Sequence, residues 1–195
     1  AAMEIARGDG GLSTVMSVTG SLVCGILQKL GTDDQKEKYL RPLARGEAIG
    51  AFCLTEPQAG SDASMLKTQA KKVGNGYVLN GTKQFITSGK IGQYAIVFAI
   101  TDPEAGKKGM SAFIVPMDLP GFSIAKTEEK MGQKASDTCQ INFDDVELDG
   151  SHLIGKEGDG YKIALQNLES GRIGVAAQSV GMAQAAFDFA LQYSK

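Results

Sequence analysis

One stretch of the sequence, from Ala51 to Asp62, joins an apolar run to a loop of small and polar residues that could bind a ligand. Gly60 would let the backbone come close to a flat ring or a phosphate, and the hydroxyls of Thr55 and Ser61 are additional hydrogen-bond partners. An ordinary proline-glycine turn, capped by Ser61 or Asp62, explains the same residues equally well. The stretch therefore predicts either a ligand-binding strand end or a simple turn.

A second stretch, from Asn80 to Gly89, repeats the same order of features, because an alternating run ends with Phe85, Thr87 and a glycine. Two such strand ends could meet and form one pocket. The alternative for Phe85 is a place in the core, which is the commoner position for an aromatic residue on an alternating strand. The residues by themselves leave both positions open.

Helical spacing of apolar residues predicts two helices ahead of these stretches. The first is a mostly buried helix from Leu12 to Leu30, closed by Gly31. The second starts after Thr32, which stands three residues before Gln35 in a capping-box arrangement, and ends at Gly46. A third helix is predicted from about Tyr161 to the end of the sequence.

Between these helices the period changes to alternation, which predicts an all-β block of about a hundred residues. Turns are predicted at Gly74-Asn75-Gly76, at Asn80-Gly81 and in the polar loop 102–109. The runs that predict strands are Ile49–Leu54, Gly76–Thr87, Tyr94–Thr101, Met110–Pro116, Phe122–Glu128 and Cys139–Leu148.

Charge and cysteine content argue against several classes of protein. The 20 basic and 22 acidic residues form no basic stripe, so nucleic acid is not an expected partner. Cys24, Cys53 and Cys139 are an odd number without paired spacing, which predicts reduced packing residues rather than disulfides or a zinc site. His152, the only histidine, has no second metal-type ligand at useful spacing and is interpreted as a solvated loop residue.

No apolar run is expected to span a membrane, and no secretory signal opens the sequence, so an aqueous and reducing compartment is predicted. A helix-like pattern is already under way at Ala1–Ile5, and another is still under way at Lys195, without a cap or a glycine stop. We therefore expect the chain to be the central piece of a longer protein.

Several segments, taken in order, resemble the acyl-CoA dehydrogenase family. They are the LTEPxAGSD pattern at 54–62, the NGxKxFIT pattern at 80–87, the KMG and SDT groups at 130–138, and the glycine-rich segment Gly155–Tyr161. The first two patterns, in this order and spacing, make chance agreement improbable. The resemblance covers essentially the whole chain and is nearest to the short-chain, butyryl-type members.

The resemblance implies an α+β architecture in three parts. Residues 1–46 would be the end of an all-α N-terminal domain. Residues 47–155 would form a central β-barrel or sandwich domain, and residues 156–195 the first helix of a C-terminal helical bundle.

The resemblance also implies which residues hold FAD and the acyl-CoA substrate. Without it, Arg172 would be interpreted as a surface residue paired with Glu169. The implied cofactor-binding residues are Phe52, Cys53, Leu54, Thr55, Gly60, Ser61, Phe85, Ile86 and Thr87. The implied substrate-binding residues are Ser61, Glu169, Ser170, Gly171 and Arg172.

The family's reaction removes a proton α to a thioester carbonyl and transfers a hydride from the β-carbon to flavin N5, which gives a 2-enoyl-CoA. It needs a carboxylate base beside the substrate. Some relatives carry that glutamate at the position of Gly171, so here the resemblance implies a base beyond Lys195 and no catalytic residue within the chain. Glu56 and Glu169 are poor substitutes, because the resemblance assigns them to the flavin loop and to the CoA chain.

Further expectations follow from the resemblance: fatty-acid β-oxidation, electron-transferring flavoprotein as electron acceptor, and a homotetramer of the full-length protein. The expected location is the bacterial cytoplasm or the mitochondrial matrix, with the cytoplasm preferred. Two alternatives stay open. One is an acyl-CoA oxidase or flavin monooxygenase of the same superfamily, which a tight, dry site would argue against. The other is a β-domain that binds a flavin, another ligand or a partner without catalysis.

Overall fold

The N-terminal part of the molecule is helical in the computed structural model, which describes all residues from 1 to 195. Helix α1 spans Ala2–Gly8, α2 spans Gly10–Leu30, and α3 spans residues 33–45. The predicted capping box is confirmed, because Thr32 and Gln35 each accept the other's backbone N–H through their side chains.

Helix α2 contains a π-helical stretch, Val18–Cys24, which changes the pattern of its backbone hydrogen bonds. The Leu22 carbonyl in this stretch accepts a hydrogen bond of 3.0 Å from the side-chain amide of the buried residue Asn167. Thr19 accepts from the Gly50 N–H at 3.2 Å through its hydroxyl. The π-helical stretch is thus connected both to the last helix of the chain and to the first strand.

By length and apolar composition alone, α2 could cross a membrane, which contradicts the expectation that no segment is long enough. Core helices of globular proteins pass the same test. Val23, Ile26 and Leu27 of this helix lie in the hydrophobic core, so one face of α2 is covered by protein.

Eight strands form one sheet in the order β6-β7-β3-β2-β4-β5-β8, and β1 pairs in parallel with β4. Every run that the sequence predicted as a strand is a strand. No run was predicted for the two-residue strand β8, or for the short polar strand β2, which only the predicted hairpin implied. The bounds are β1 Gly50–Cys53, β2 Gln69–Val73, β3 Gly76–Thr87, β4 Tyr94–Ile100, β5 Met110–Pro116, β6 Phe122–Thr127, β7 Thr138–Asp149 and β8 Leu153–Ile154.

Strand β4 separates two apolar clusters. Its Ile96 and Phe98 belong to the cluster between the sheet and the helices. Ala95 and Val97 belong to the cluster inside the β-domain, which they share with residues of β3, β5 and β7. Because successive side chains point to opposite faces, a strand that is buried on both faces has to be apolar throughout, as β4 is.

The reversal predicted at Asn80-Gly81 is wrong, because these residues lie inside β3. The pairing of β3 with β7 shifts register between Leu79 and Gly81, and Gly81 has a φ of 149°. A Cβ atom at Gly81 would lie 2.5 Å from Thr68 Oγ1. Gly81 therefore belongs to a β-bulge and not to a turn, and it lets β3 pass close to the segment that contains Thr68.

The hairpin predicted at Gly74-Asn75-Gly76 is confirmed, since β2 and β3 pair in antiparallel fashion on either side of it. Helix α4 spans Gly160–Tyr193, close to the predicted start at Tyr161. Its close approach to α1 depends on Gly181, where a Cβ atom would lie 2.2 Å from the Met3 carbonyl oxygen. The helices, the β-domain and the long final helix agree with the predicted α+β architecture.

Candidate functional site

The two strand ends singled out by the sequence meet at one pocket of about 290 Å³, the strand-end pocket. Strands β1 and β3 end at it, and the loop after β1 and helices α2 and α4 contribute the rest of its wall. Its lining residues are Val18, Leu22, Phe52, Leu54, Thr55, Gly60, Ser61, Ala63, Phe85, Ile86, Thr87, Tyr161, Leu165 and Leu168.

Strand alternation explains which side chains of β1 reach this pocket. Phe52 lines it and packs edge-on against Phe98, with ring centroids 5.1 Å apart. Cys53 points to the other face and is fully buried inside the β-domain. Burial raises the pKa of the Cys53 thiol to about 12, so the thiol stays protonated at neutral pH. Of the nine implied cofactor-binding residues, Cys53 is the one whose side chain does not line the pocket.

The loop after β1 folds back on itself before it passes the pocket. Glu56 and Ala59 exchange two backbone hydrogen bonds, of 3.0 and 3.1 Å. Asp62 then caps the following turn by accepting the Ser64 N–H at 3.0 Å. Ser61 nevertheless lines the pocket. The predicted turn is therefore confirmed, and the same turn forms one wall of a pocket, as the prediction of a ligand-binding strand end requires.

On the opposite wall, β3 carries a bulge just before it ends. Its pairing with β7 shifts register between Lys83 and Ile86. Phe85 adopts a φ of 57°, which is rare for a bulky residue. The bulge turns the Phe85 ring away from the core, so that the residue is 62% exposed and lines the pocket. Phe85 thus does not take the core position that most aromatic residues on alternating strands occupy.

Three hydroxyl groups in the lining are free to bind a ligand. Thr55, Ser61 and Thr87 all line the strand-end pocket, and none of their hydroxyls has a hydrogen-bond partner within the chain. The helices contribute mainly apolar side chains such as Leu22 and Leu168. Apolar walls with a few convergent polar groups are typical of small-molecule sites.

A buried ion pair joins the loop after β1 to β3. Lys83 Nζ donates to Glu56 Oε1 at 2.7 Å, and the two side chains are 0% and 2% exposed. Burial lowers the pKa of Lys83, which its attraction to Glu56 offsets only in part. Burial alone would raise the pKa of Glu56, but Lys83 and hydrogen bonds from Thr68 and Lys67 together lower it. Glu56 is therefore ionised at neutral pH, and it does not line the pocket.

A second pocket of about 620 Å³, the interhelical pocket, opens between α2 and α4. Val18, Leu22 and Leu168 line both pockets, so the two adjoin beside the π-helical stretch. The lining residues of the interhelical pocket are Thr14, Ser17, Val18, Leu22, Leu168, Gly171, Arg172, Val175, Ala176, Gln178 and Ser179.

The implied substrate-binding residues are divided between the pockets and the surface. Ser61 lines the strand-end pocket, and Gly171 and Arg172 line the interhelical pocket. Glu169 and Ser170 line neither, and the Ser170 hydroxyl donates to a carbonyl of its own helix. No ion pair joins Arg172 to Glu169, so the surface pair considered from the sequence is not formed.

Sequence reasoning did not find the helical residues of the strand-end pocket. Val18 and Leu22 come from α2, and Tyr161, Leu165 and Leu168 come from α4. Their spacing of three or four residues places each group on one helix face, which was the available signal. Spacing does not distinguish a face that packs on the core from one that lines a pocket.

The interpretation of His152 as a solvated residue is wrong, because the residue is only 8% exposed. Asp149 caps the short turn Gly150–His152, and its Oδ1 lies 3.2 Å from His152 Nδ1. The capped turn folds the ring back against the protein. No group of three or more His, Cys, Asp or Glu residues in the structure is arranged to hold a metal ion.

Three sequence-family models match the chain one after another. The acyl-CoA dehydrogenase N-terminal domain matches residues 1–47, the middle domain residues 51–146, and the C-terminal domain residues 158–195. The chain belongs to the acyl-CoA dehydrogenase family. The middle-domain match contains both strand ends of the strand-end pocket, and the C-terminal match contains Gly171 and Arg172.

Individual acyl-CoA dehydrogenases match nearly the whole chain. The short-chain specific enzyme of Clostridium acetobutylicum is 45% identical over 98% of the chain and 51% of its own length. The structure of butyryl-CoA dehydrogenase from Megasphaera elsdenii has a TM-score of 0.97 at 46% identity, over 100% of this chain and 51% of that one. A glutaryl-CoA dehydrogenase from Mycobacterium smegmatis, in complex with FADH2, has a TM-score of 0.91 at 36% identity, over 99% and 48%. The chain thus spans about half the length of these relatives.

Proposed function

We propose that the chain is the central part of a flavin-dependent acyl-CoA dehydrogenase that oxidises a short-chain acyl-CoA to the 2-enoyl thioester. The strand-end pocket is the observation that carries this proposal. Eight of the nine residues implied to bind the cofactor line it, although they come from two strand ends that are distant in sequence. Similarity to short-chain and butyryl-CoA dehydrogenases supports the short-chain preference.

The residues of the strand-end pocket fit the isoalloxazine ring of FAD. The exposed Phe85 ring offers a flat apolar surface, and the hydroxyls of Thr55 and Thr87 can bond to ring heteroatoms. At Gly60 no atom lies within 4 Å of the position a Cβ would take, so the backbone is open to a ligand. When bound, FAD accepts the hydride that leaves the substrate. The protein's part is to hold the ring in a largely apolar environment.

We assign the interhelical pocket to the acyl chain and the adjoining part of CoA. It borders the strand-end pocket through Val18, Leu22 and Leu168, so an acyl group there would lie next to the flavin site. Arg172 places a cation in the lining, where it can contact a carbonyl or a phosphate. The free hydroxyl of Ser61 is available to the CoA portion.

The base is assigned to the part of the full-length protein that follows Lys195. Removal of the proton α to the thioester requires a carboxylate within hydrogen-bond reach. No Asp or Glu lines either pocket. By the family resemblance, Gly171 matches the position at which some family members carry this glutamate, and a glycine offers no carboxylate.

The domain boundaries, partners and location belong to the same proposal and rest on the family resemblance. The domains are 1–46, 47–155 and 156–195, and the helices, strands and final helix fall within these limits. Electrons would pass to an electron-transferring flavoprotein, and the full-length protein would be a homotetramer. The location would be a bacterial cytoplasm or a mitochondrial matrix.

Anaerobic titration of the full-length protein with butyryl-CoA tests the proposed function. Bleaching of the long-wavelength band of the oxidised flavin is expected, because the substrate donates its hydride to the ring. Free CoA is the matched control and should leave the band unchanged. A bound flavin that butyryl-CoA does not reduce would refute the dehydrogenase, and a protein that binds no FAD would refute the cofactor.

A further inference from the structure

The Glu56 carboxylate is the centre of a hydrogen-bond network behind the strand-end pocket. Its Oε1 accepts Lys83 Nζ at 2.7 Å and the Thr68 N–H at 3.1 Å. Its Oε2 accepts the Lys67 N–H at 2.7 Å and Gln58 Nε2 at 2.6 Å. Through this one side chain, the loop after β1 is hydrogen-bonded both to β3 and to the segment that precedes β2.

The Lys83 ammonium extends this network to the pocket wall. Besides Glu56, its Nζ donates to the Leu54 carbonyl at 3.1 Å. The next residue of β3, Gln84, donates its N–H to the Thr55 carbonyl at 2.8 Å. Leu54 and Thr55 both line the pocket, so β3 holds this wall through two consecutive carbonyls.

Strand β3 also forms the opposite wall of the pocket, two residues after Lys83. Phe85 lines that wall, and the register shift of the bulge lies between Lys83 and Ile86. Phe85 has a φ of 57°, and such a backbone conformation persists where the surrounding structure holds it in place. Lys83, fully buried and bonded at its tip, fixes the strand immediately before this residue.

Folding stability alone does not account for an ion pair at this place. Replacing a buried pair by well-packed apolar residues is often neutral or stabilising, because removing two charges from water is costly. A pair with directed hydrogen bonds has the advantage of specifying one arrangement of the segments that it joins.

We propose that Glu56 and Lys83 are positioning residues, which set the separation and orientation of the two walls of the strand-end pocket and thereby the affinity for the flavin ring. The proposal rests on the proposed function, because it assumes that the ring lies in this pocket. Neither side chain lines the pocket, so their effect reaches the ligand through Leu54, Thr55 and Phe85.

The test uses three variants of the full-length protein: Lys83→Met, Glu56→Gln and the double variant. Lys83→Met keeps the length of the side chain and removes its hydrogen bonds to Glu56 and Leu54. The dissociation constant for FAD should rise about tenfold to a hundredfold, the range typical of coupling between two sites in one protein. The dissociation constant is measured by titrating the apoprotein with FAD below its melting temperature and following the flavin fluorescence. The shape of the visible absorbance bands of the flavin is a second readout.

A matched control separates positioning from general destabilisation. Val146→Ala removes buried apolar volume from β7, away from the pocket lining. At a comparable loss of melting temperature it should leave the FAD affinity and the flavin bands unchanged. The double variant has no unpaired buried charge, so it should regain part of the thermal stability that Lys83→Met loses while its FAD affinity stays weak.

Each outcome decides the proposal. A double variant that binds FAD as tightly as the wild type would show that the pair acts through stability alone. So would a Val146→Ala protein that loses as much affinity as Lys83→Met. Wild-type protein that binds no FAD would overturn the proposed function, whereas wild type and Lys83→Met that bind equally well would overturn the positioning role only.

Discussion

Phe85 lines the proposed flavin site and contributes little buried surface to the fold. Because the residue is 62% exposed, truncation to alanine removes little buried apolar area, and the free energy of unfolding should change by less than about 1 kcal/mol. The dissociation constant for FAD should nevertheless rise about tenfold, because the flat apolar contact is lost. Chemical unfolding of the apoprotein and a fluorescence titration with FAD measure the two effects.

Phe113→Ala is the control for this prediction. Phe113 is fully buried inside the β-domain, so its truncation should lower stability by about 3–5 kcal/mol. A Phe85→Ala variant that loses stability to a similar extent, or that binds FAD normally, would contradict the assigned role of Phe85.

Glu56 couples stability to pH. Its pKa is lower in the folded protein than in the unfolded chain, so its ionised form stabilises the fold. This contribution is complete above the unfolded pKa of about 4.3 and disappears as the pH falls through the lower, folded value. The difference in melting temperature between wild type and Glu56→Gln should therefore be largest at neutral pH and shrink below about pH 4.

Thermal melts followed by circular dichroism at several pH values would check this prediction. Glu129→Gln is a suitable control, because Glu129 is exposed and forms no ion pair in the structure. Its melting temperature should follow that of the wild type at every pH. A wild-type advantage over Glu56→Gln that stays constant into the acid range would show that ionisation of Glu56 does not stabilise the fold.

Among the secondary-structure elements, the π-helical stretch of α2 depends on a residue of α4. Asn167→Leu keeps a side chain of similar size but removes the donor to the Leu22 carbonyl, which should cost about 1–3 kcal/mol in the free energy of unfolding. Since Leu22 lines both pockets, the KM for butyryl-CoA should also rise. Denaturant unfolding and steady-state kinetics would measure these changes.

Gln184→Ala is the matched control on the same helix, because the exposed Gln184 side chain donates only to Asp188 of α4 and lines neither pocket. It should change stability by less than about 0.5 kcal/mol and leave the KM unaltered. If Asn167→Leu were equally neutral, the carbonyl would have found another donor and the supporting role of Asn167 would be refuted.

At the scale of the whole molecule, α4 leaves large apolar side chains uncovered. Phe187, Phe189 and Tyr193 are 60%, 73% and 87% exposed. Leu191 lies one turn after Phe187, and Tyr193 one turn after Phe189, so apolar side chains are exposed on two faces of the helix. Exposed apolar surface of this extent usually marks an interface. In the proposed full-length protein the remaining helices of the C-terminal bundle would cover it, so the 195-residue chain alone should self-associate at micromolar concentration.

Sedimentation velocity would test this prediction. The double substitution Phe187→Glu and Phe189→Glu should shift the chain towards monomer, whereas Ala183→Glu at an exposed position of the same helix should have a smaller effect. A wild-type chain that stays monomeric over the whole micromolar range would show that these exposed side chains do not cause association by themselves.

The sequence by itself determined most of the helices and strands and indicated two segments of the candidate site. Apolar periodicity and the Thr32 cap identified the helices, because these signals arise between residues a few positions apart. Strand β4 was recognisable from its unbroken apolar run. The family patterns then indicated the two strand ends of the strand-end pocket.

Only the tertiary structure decided how these elements meet. Lys83 is a charged residue in a strand, and such residues normally lie at the surface. Its burial depends on the carboxylate of Glu56, 27 positions earlier in the chain. Irregular pairing of β3 with β7 turns Phe85 towards the pocket. The same pairing makes Gly81 part of a bulge, where the sequence predicted a reversal. Periodicity cannot show these features, because contacts between residues distant in sequence outweigh local preference.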